Sequence, residues 1–255
     1  MCLPYFGRNL SAMMTIIHVS CTLSGILPQW SAMFRLHISP DTAATVLRLA
    51  ALQGRVALDL VPIDRSGAGL DSPAYRSLNP TGTIPVLETP QGPVSETGAA
   101  LLYLSDSHGL GPGPADALRP AFLKWLFYIS NTLHPDLRQL IRPWRFAAPE
   151  AEAGQANLAA ARVLGALALI EEAMRSTPQL FPPLGPLSAY LLMLTRWAAQ
   201  YPAGHPPWFR LEAFPDLAAH AALAEALPAA RQIAEEEGLG ATPFTRPPRA
   251  ARPSP

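Results

Sequence analysis

The sequence predicts an α/β domain followed by an all-helical bundle, and three observations carry that prediction. From Phe34 to Asp106, short apolar runs suited to strands alternate with stretches of helical period. A glycine- and proline-dense stretch, Gly109-Leu110-Gly111-Pro112-Gly113-Pro114, then interrupts the pattern. Beyond it every patterned segment down to about residue 240 has the helical period.

The α/β domain spans 33–110. Phe34 to Ile38 reads as a strand, and Ser39-Pro40-Asp41 as a helix opening with serine at the cap, proline in first position and an acid in the first turn. Ala43, Val46, Leu47 and Ala50 form the apolar stripe, and Gly54 ends the helix. Val56 to Ile63 is a second strand, which Pro62 confines to a sheet edge because proline has no N–H to give the ladder. Strands joined by a helix of this length should be parallel, with a right-handed crossover. The polar stretch Asp64 to Ser77 reads as a loop. A strand from Ile84-Pro85, a turn at Pro90 to Pro93, and a helix over Gly98 to Ser105 capped by Thr97 complete the order of a thioredoxin-like domain.

The helical domain spans 117–240. Leu118 to Arg145 is a long helix that prolines 135 and 143 should kink or break. Ala151 to Arg175 is rich in alanine and leucine, with Glu171-Glu172 as a solvated face. Leu187 to Gln200 is apolar on nearly every side, so it is expected to be the buried central helix. Pro215 and Pro228 open two more helices, and Glu235 to Gly238 closes the last. Residues 1–32 have no clean period and read as a disordered extension, or as sequence ahead of a start at Met33. Residues 241–255, with Arg246, Arg249 and Arg252 among prolines, read as a disordered tail.

Basic and acidic side chains balance at 19 each, so no global field draws nucleic acid or an anionic membrane, and a small neutral or amphipathic ligand is expected. No run of 18 apolar residues occurs, so no membrane span is expected. The 2 cysteines, Cys2 and Cys21, lie in the N-terminal extension, which leaves the folded part without a disulfide framework and suggests a cytoplasmic location. His37, His134, His205 and His220 lack metal-binding spacing, and no metal is expected.

The stretch Asn79 to Asp106 carries the candidate chemistry. A proline opening a strand, as Pro85 does, leaves the N–H and C=O of Ile84 free to pair with an extended peptide. The N–H groups at the start of the helix capped by Thr97 suit a carboxylate.

The runs N-P-T-G-T-I-P-V-L-E-T, S-E-T and A-A-L-L-Y-L-S-D in that stretch resemble the thioredoxin-like domain of bacterial glutathione transferases of beta or theta type. K-W-L-F-Y-I-S-N-T-L-H-P-D-L, L-S-A-Y-L-L-M-L-T-R-W-A, F-P-D-L-A-A-H and L-P-A-A-R-Q-I-A-E-E-E-G are similar to helices of the same family, so the resemblance runs from about Met33 to Gly240. It implies a cis Pro85, an Ile84 that pairs with the cysteinyl backbone of glutathione, and a γ-glutamyl end held by Glu96 and Thr97. It further implies a thiolate that attacks a hydrophobic electrophile held by the helical domain, and a homodimer formed by the helix after Glu96 and the next one.

The chain departs from the family at two places. The beta-class run S-P-x-x-C-S is here Ser39-Pro40-Asp41-Thr42-Ala43-Ala44, with alanine at the cysteine position. Ser39 and Thr42 remain as hydroxyl donors to the thiolate, Thr42 standing where theta-like members carry an activating serine. Equally, Ser39 serves as a helix cap and Thr42 as a first-turn residue, and a non-catalytic binding or adaptor protein is the alternative function. The S/T-x-x-D box that opens the central helix is replaced by Gly185 and Ser188, at a cost of about 1–2 kcal/mol unless Pro186 and Ser188 compensate. Trp125, Tyr128, Trp144 and Trp197 either line the electrophile pocket or belong to the core.

Overall fold

The structure is a computed structural model that describes residues 34–65, 68–201 and 208–248. The expectations for residues 1–32, for Cys2 and Cys21, and for His205 lie outside the described residues.

Strands β1 (Arg35–Ile38), β2 (Asp59–Pro62), β3 (Val86–Thr89) and β4 (Gly92–Ser95) form one sheet in the order β2-β1-β3-β4. β1 and β2 are parallel, and β3 runs antiparallel to both β1 and β4. Pro62 sits on the outermost strand, as its missing N–H requires. Helices α1 (Ala43–Gln53), α2 (Pro73–Leu78) and α3 (Thr97–His108) complete this half. The loop expected over Asp64 to Ser77 contains α2, whose 6 residues are too few to show a period. Its signature is local: Ser72 caps it and Pro73 occupies the first turn.

Two helix starts differ from expectation. Thr42, not Ser39, caps α1, because Pro40 and Asp41 form a turn first. The Thr42 hydroxyl accepts from the Ala44 amide at 3.3 Å, and Thr45 Oγ1 accepts from the Thr42 amide at 3.2 Å, which closes a capping box. Thr97 is the first residue of α3 and not its cap; Glu96 holds the cap position with φ of 69° and no side-chain bond.

In the helical half, α4 (Arg119–Tyr128) runs through a π-helical turn (Ile129–Leu133) into α5 (His134–Ile141). The wide turn absorbs Pro135, which cannot donate to the carbonyl four residues back and would crowd it in a regular helix. α6 (Glu152–Ser176), α7 (Pro186–Gln200), α8 (Pro215–Glu225) and α9 (Pro228–Glu237) follow. α7 is buried along almost its whole length and packs on α1, α3, α4 and α5. Leu47, Leu101, Leu126 and Leu191 accordingly belong to one continuous core, and the two halves form one compact unit.

Three surface readings change. Glu171 is buried rather than solvated; its carboxylate accepts from the amides of Asp216 at 2.9 Å and Leu217 at 3.4 Å, supplying the N-terminal cap that Phe214 cannot give α8. Residues 241–248 are packed, with Phe244 buried and Glu225 accepting from the amides of Phe244 and Thr245. Residues 249–255 lie outside the described residues. By length and composition alone, the helix Pro149–Ser176 could cross a membrane. It buries Val163, Leu167, Ile170 and Met174 and pairs Arg162 with Asp136 of α5, as a bundle helix does.

Gly185 caps α7 without a side-chain bond, and Pro186 at the first position compensates in part. Ser188 does not: its hydroxyl is buried with no partner among the described residues. Ser188→Ala removes an unsatisfied polar group and improves helix propensity, so we expect stabilisation by about 1 kcal/mol, or about 2–4 °C in Tm. Thermal unfolding by circular dichroism reads this directly, and a lower Tm would mean that the hydroxyl has a partner.

Candidate functional site

The strand registers bring the three candidate segments to one end of the sheet. His37 lies opposite Val86, and Val86 opposite Ser95. Antiparallel pairing therefore sets the chain leaving β1 at Ser39, the chain entering β3 at Ile84-Pro85 and the chain leaving β4 at Glu96-Thr97 side by side. The Ile84–Pro85 bond is cis. Pro85 is buried, while the amide and carbonyl of half-buried Ile84 have no hydrogen-bond partner among the described residues. Next to them, the amides of Thr97, Gly98 and Ala99 have no acceptor among the described residues, and Ala100 makes the first turn's bond to the Glu96 carbonyl at 2.9 Å. The exposed Glu96 sits at φ of 69°, an uncommon conformation for a residue other than glycine. Backbone that can both donate and accept and a cluster of helix-start amides thus stand together, which suits an extended peptide ending in a carboxylate.

The two candidate hydroxyls differ. Thr42 Oγ1 donates to the Ser39 carbonyl at 2.7 Å while it accepts from Ala44, so its proton is committed inside the loop. Half-buried Ser39 has a hydroxyl with no internal partner among the described residues. Ala43 and Ala44 offer no side-chain donor, and the Ala43 amide has no acceptor among the described residues.

Composition and spacing did not reveal what holds this loop. Asp41 adopts φ of 53°, and its carboxylate accepts from Arg196 Nη2 at 2.7 Å and from Trp197 Nε1 at 2.7 Å. Its amide donates to Glu237 of α9 at 2.9 Å, and Thr45 Oγ1 donates to the same carboxylate at 2.6 Å. Arg196 was visible as a lone charge in an otherwise apolar helix, and a buried arginine requires a partner. Trp197 accordingly belongs to the core, its ring against His134 with centroids 5.8 Å apart. His134 Nδ1 lies 2.8 Å from the Tyr190 hydroxyl, which reaches Thr97. Trp125, Tyr128 and Trp144 are half-buried. His37 is bound to Glu88 at 2.8 Å, and His220 is buried in α8. A cleft of about 450 Å³ lined by α9 and the following turn includes none of the candidate residues.

Solved structures share this fold. A glutathione transferase homologue from Sulfitobacter with bound glutathione superposes at a TM-score of 0.67, covering 80% of this chain and 98% of that one at 20% identity. The chain has the glutathione transferase fold. A sphingomonad glutathione S-transferase complexed with glutathione matches this fold at a TM-score of 0.63 and 24% identity, covering 81% of this chain and all of that one. In sequence, a glutathione S-transferase of Xanthomonas campestris is 26% identical over 109 residues, 42% of this chain and 52% of that protein. One from Silene vulgaris is 35% identical over 75 residues, 29% of this chain and 35% of that protein. Elongation factor 1-gamma 2 of Oryza sativa is 39% identical over 64 residues, 25% of this chain and 15% of that protein. The chain thus spans about half or less of the length of these curated relatives, and no protein-family model matches it.

Within this fold His134 is held neutral. Burial, reinforced by the nearby Arg138, pushes its imidazole from an ordinary value near 6.5 down to about 4. Between those values the unfolded chain binds a proton that the folded chain refuses, so stability falls as pH drops from about 6.5 to about 4 and then levels. We expect His134→Asn to flatten that part of the curve, as read by urea unfolding at a series of pH values. An unchanged slope would place the imidazole in a wetter setting.

Proposed function

We propose that this protein binds glutathione along the Ile84 edge and activates its thiol for transfer to a hydrophobic electrophile. The observation that carries this is the amide and carbonyl of Ile84, without a partner among the described residues, beside the N-terminal amides of α3. Ile84 pairs with the cysteinyl backbone of the tripeptide, as one strand pairs with another. The amides of Thr97 and Gly98 receive the γ-glutamyl carboxylate, and the Glu96 carboxylate is set to accept from its ammonium group. When bound, glutathione supplies a thiol that loses its proton to solvent and forms a carbon–sulfur bond, while the electrophile's leaving group departs with its electron pair. The start of α1 lowers the thiol pKa through its dipole and the Ala43 amide, and the unpartnered Ser39 hydroxyl donates one further hydrogen bond. A homodimer through α3 and α4 belongs to the same reading, and Phe127 of α4, 50% exposed, supplies apolar surface for it.

A non-catalytic adaptor is the second reading. It is favoured by the alanines at 43 and 44, by the committed Thr42 proton, and by a relative whose name is that of an elongation factor.

Immobilised glutathione and a chloronitrobenzene acceptor separate the two. We expect retention, elution by free glutathione, and measurable turnover. Ser39→Ala should lower kcat about tenfold, the effect of about one unit in thiol pKa, with glutathione affinity nearly unchanged. Thr42→Ala should instead cost about 1 kcal/mol of stability through the lost cap. Retention without turnover above background would favour the adaptor, and no retention would refute both readings.

A further inference from the structure

The loop that presents Ile84 is held from behind by two side chains of the short helix before it. At the end of α2 the Asn79 amide donates to the Tyr75 carbonyl at 2.9 Å, so the two residues stand one turn apart. Both are buried. Beyond Asn79 the chain turns at Pro80-Thr81, where the Gly82 amide donates to the Asn79 carbonyl at 3.0 Å and Gly82 adopts φ of 62°. That turn brings Thr83 back over Tyr75 and Asn79.

The Thr83 carbonyl accepts from the Tyr75 hydroxyl at 2.8 Å and from Asn79 Nδ2 at 2.8 Å. The Asn79 side chain is fully used: its oxygen accepts from the Thr81 amide at 3.1 Å and the Thr81 hydroxyl at 2.9 Å, and its nitrogen also reaches Thr83 Oγ1 at 3.2 Å. A backbone amide can only donate, so the Thr81 N–H fixes which end of the carboxamide is oxygen and leaves Nδ2 for Thr83. Burial pushes the Tyr75 phenol up to about 12, so its proton stays in place through the neutral range. Its ring is seated on His37 of β1, with centroids 5.4 Å apart, and His37 is bound in turn to Glu88 of β3. The phenol is thereby anchored to the sheet.

A peptide unit is planar, and in its trans form the C=O and N–H point in opposite directions. The Thr83–Ile84 unit is trans. Two buried donors that hold the Thr83 carbonyl therefore turn the Ile84 amide the other way, where no acceptor meets it among the described residues. They also polarise the unit: a carbonyl that accepts two hydrogen bonds makes the N–H it shares a peptide with a stronger donor. We propose that Tyr75 and Asn79 are positioning residues that aim and strengthen the Ile84 amide as a donor to the cysteinyl carbonyl of glutathione. The inference rests on the glutathione reading and places part of its affinity in two side chains buried behind the loop.

The test crosses two chains with two ligands by calorimetric titration of the full chain: wild type and Tyr75→Phe, against glutathione and against an analogue whose cysteinyl carbonyl is reduced to methylene. Phenylalanine keeps the ring on His37 and removes only the donor. We expect Tyr75→Phe to weaken glutathione about fivefold, the effect of one hydrogen bond, and the analogue by less than about twofold. A role in folding alone would weaken both ligands alike. Thr81→Val, at an exposed position, withdraws one donor from Asn79 and should show the same selectivity with a smaller loss, so the tie is tested even where Tyr75→Phe folds poorly. Equal losses for both ligands, or no loss for glutathione, would overturn the inference, as would a wild-type chain that binds glutathione no better than the analogue. A wild-type chain that binds neither ligand would instead refute the glutathione reading itself, and the inference with it.

Discussion

Asp41 is the point at which the separate parts of this molecule are tied together. Its backbone sits at φ of 53°, where a residue with a side chain is disfavoured, and surrounding bonds hold it there. Arg196, with its side chain only 2% exposed, would be costly to bury alone, and Asp41 neutralises it. The same guanidinium donates to the carbonyls of Leu239 at 3.0 Å and Pro243 at 2.9 Å. One buried cation thereby ties the turn before α1, the C-terminal part of α7 and the chain after α9. Glu237 adds a second tie, accepting from Asp41, Thr45 and, at 2.5 Å, Arg48. The loop nearest the proposed sulfur position is therefore held by residues distant in sequence, and its own composition says little about its rigidity.

This constraint shapes the chemistry available. With the loop fixed, Thr42 is used as a cap and its proton is turned to the Ser39 carbonyl, which leaves Ser39 as the side-chain hydroxyl able to donate. The other half of the site is mostly backbone: Ile84 on the sheet side and the first amides of α3 on the helix side. Backbone recognition depends on fold more than on side-chain identity, so a chain with alanine at positions 43 and 44 can retain ligand geometry while its catalytic strength falls.

The order of elements was legible because each strand and helix carried its own period or punctuation. Pro62 marked the edge strand, Gly54 and Gly238 the helix ends, and the apolar run from Leu187 the buried α7. Helix starts were less legible, since Ser-Pro-Asp and Thr offer competing caps and only the bound turn decides between them. Glu171 read as solvent-facing because its partners, the amides of Asp216 and Leu217, come from a helix some forty-five residues later. The candidate backbone site was legible through Ile84-Pro85 and Glu96-Thr97, whose relation follows from strand register alone. The Asp41 tie was not, because it is assembled from residues whose spacing has no short-range pattern.

The central claim is that the backbone of Ile84 clasps an extended tripeptide. Amide-resolved NMR titration with glutathione addresses it residue by residue. The account predicts that the amides of Ile84, Thr97 and Gly98 shift together and saturate with one dissociation constant, while those of α8 and α9 away from Asp41 stay in place. Saturable shifts confined to other elements, with Ile84 unmoved, would contradict it.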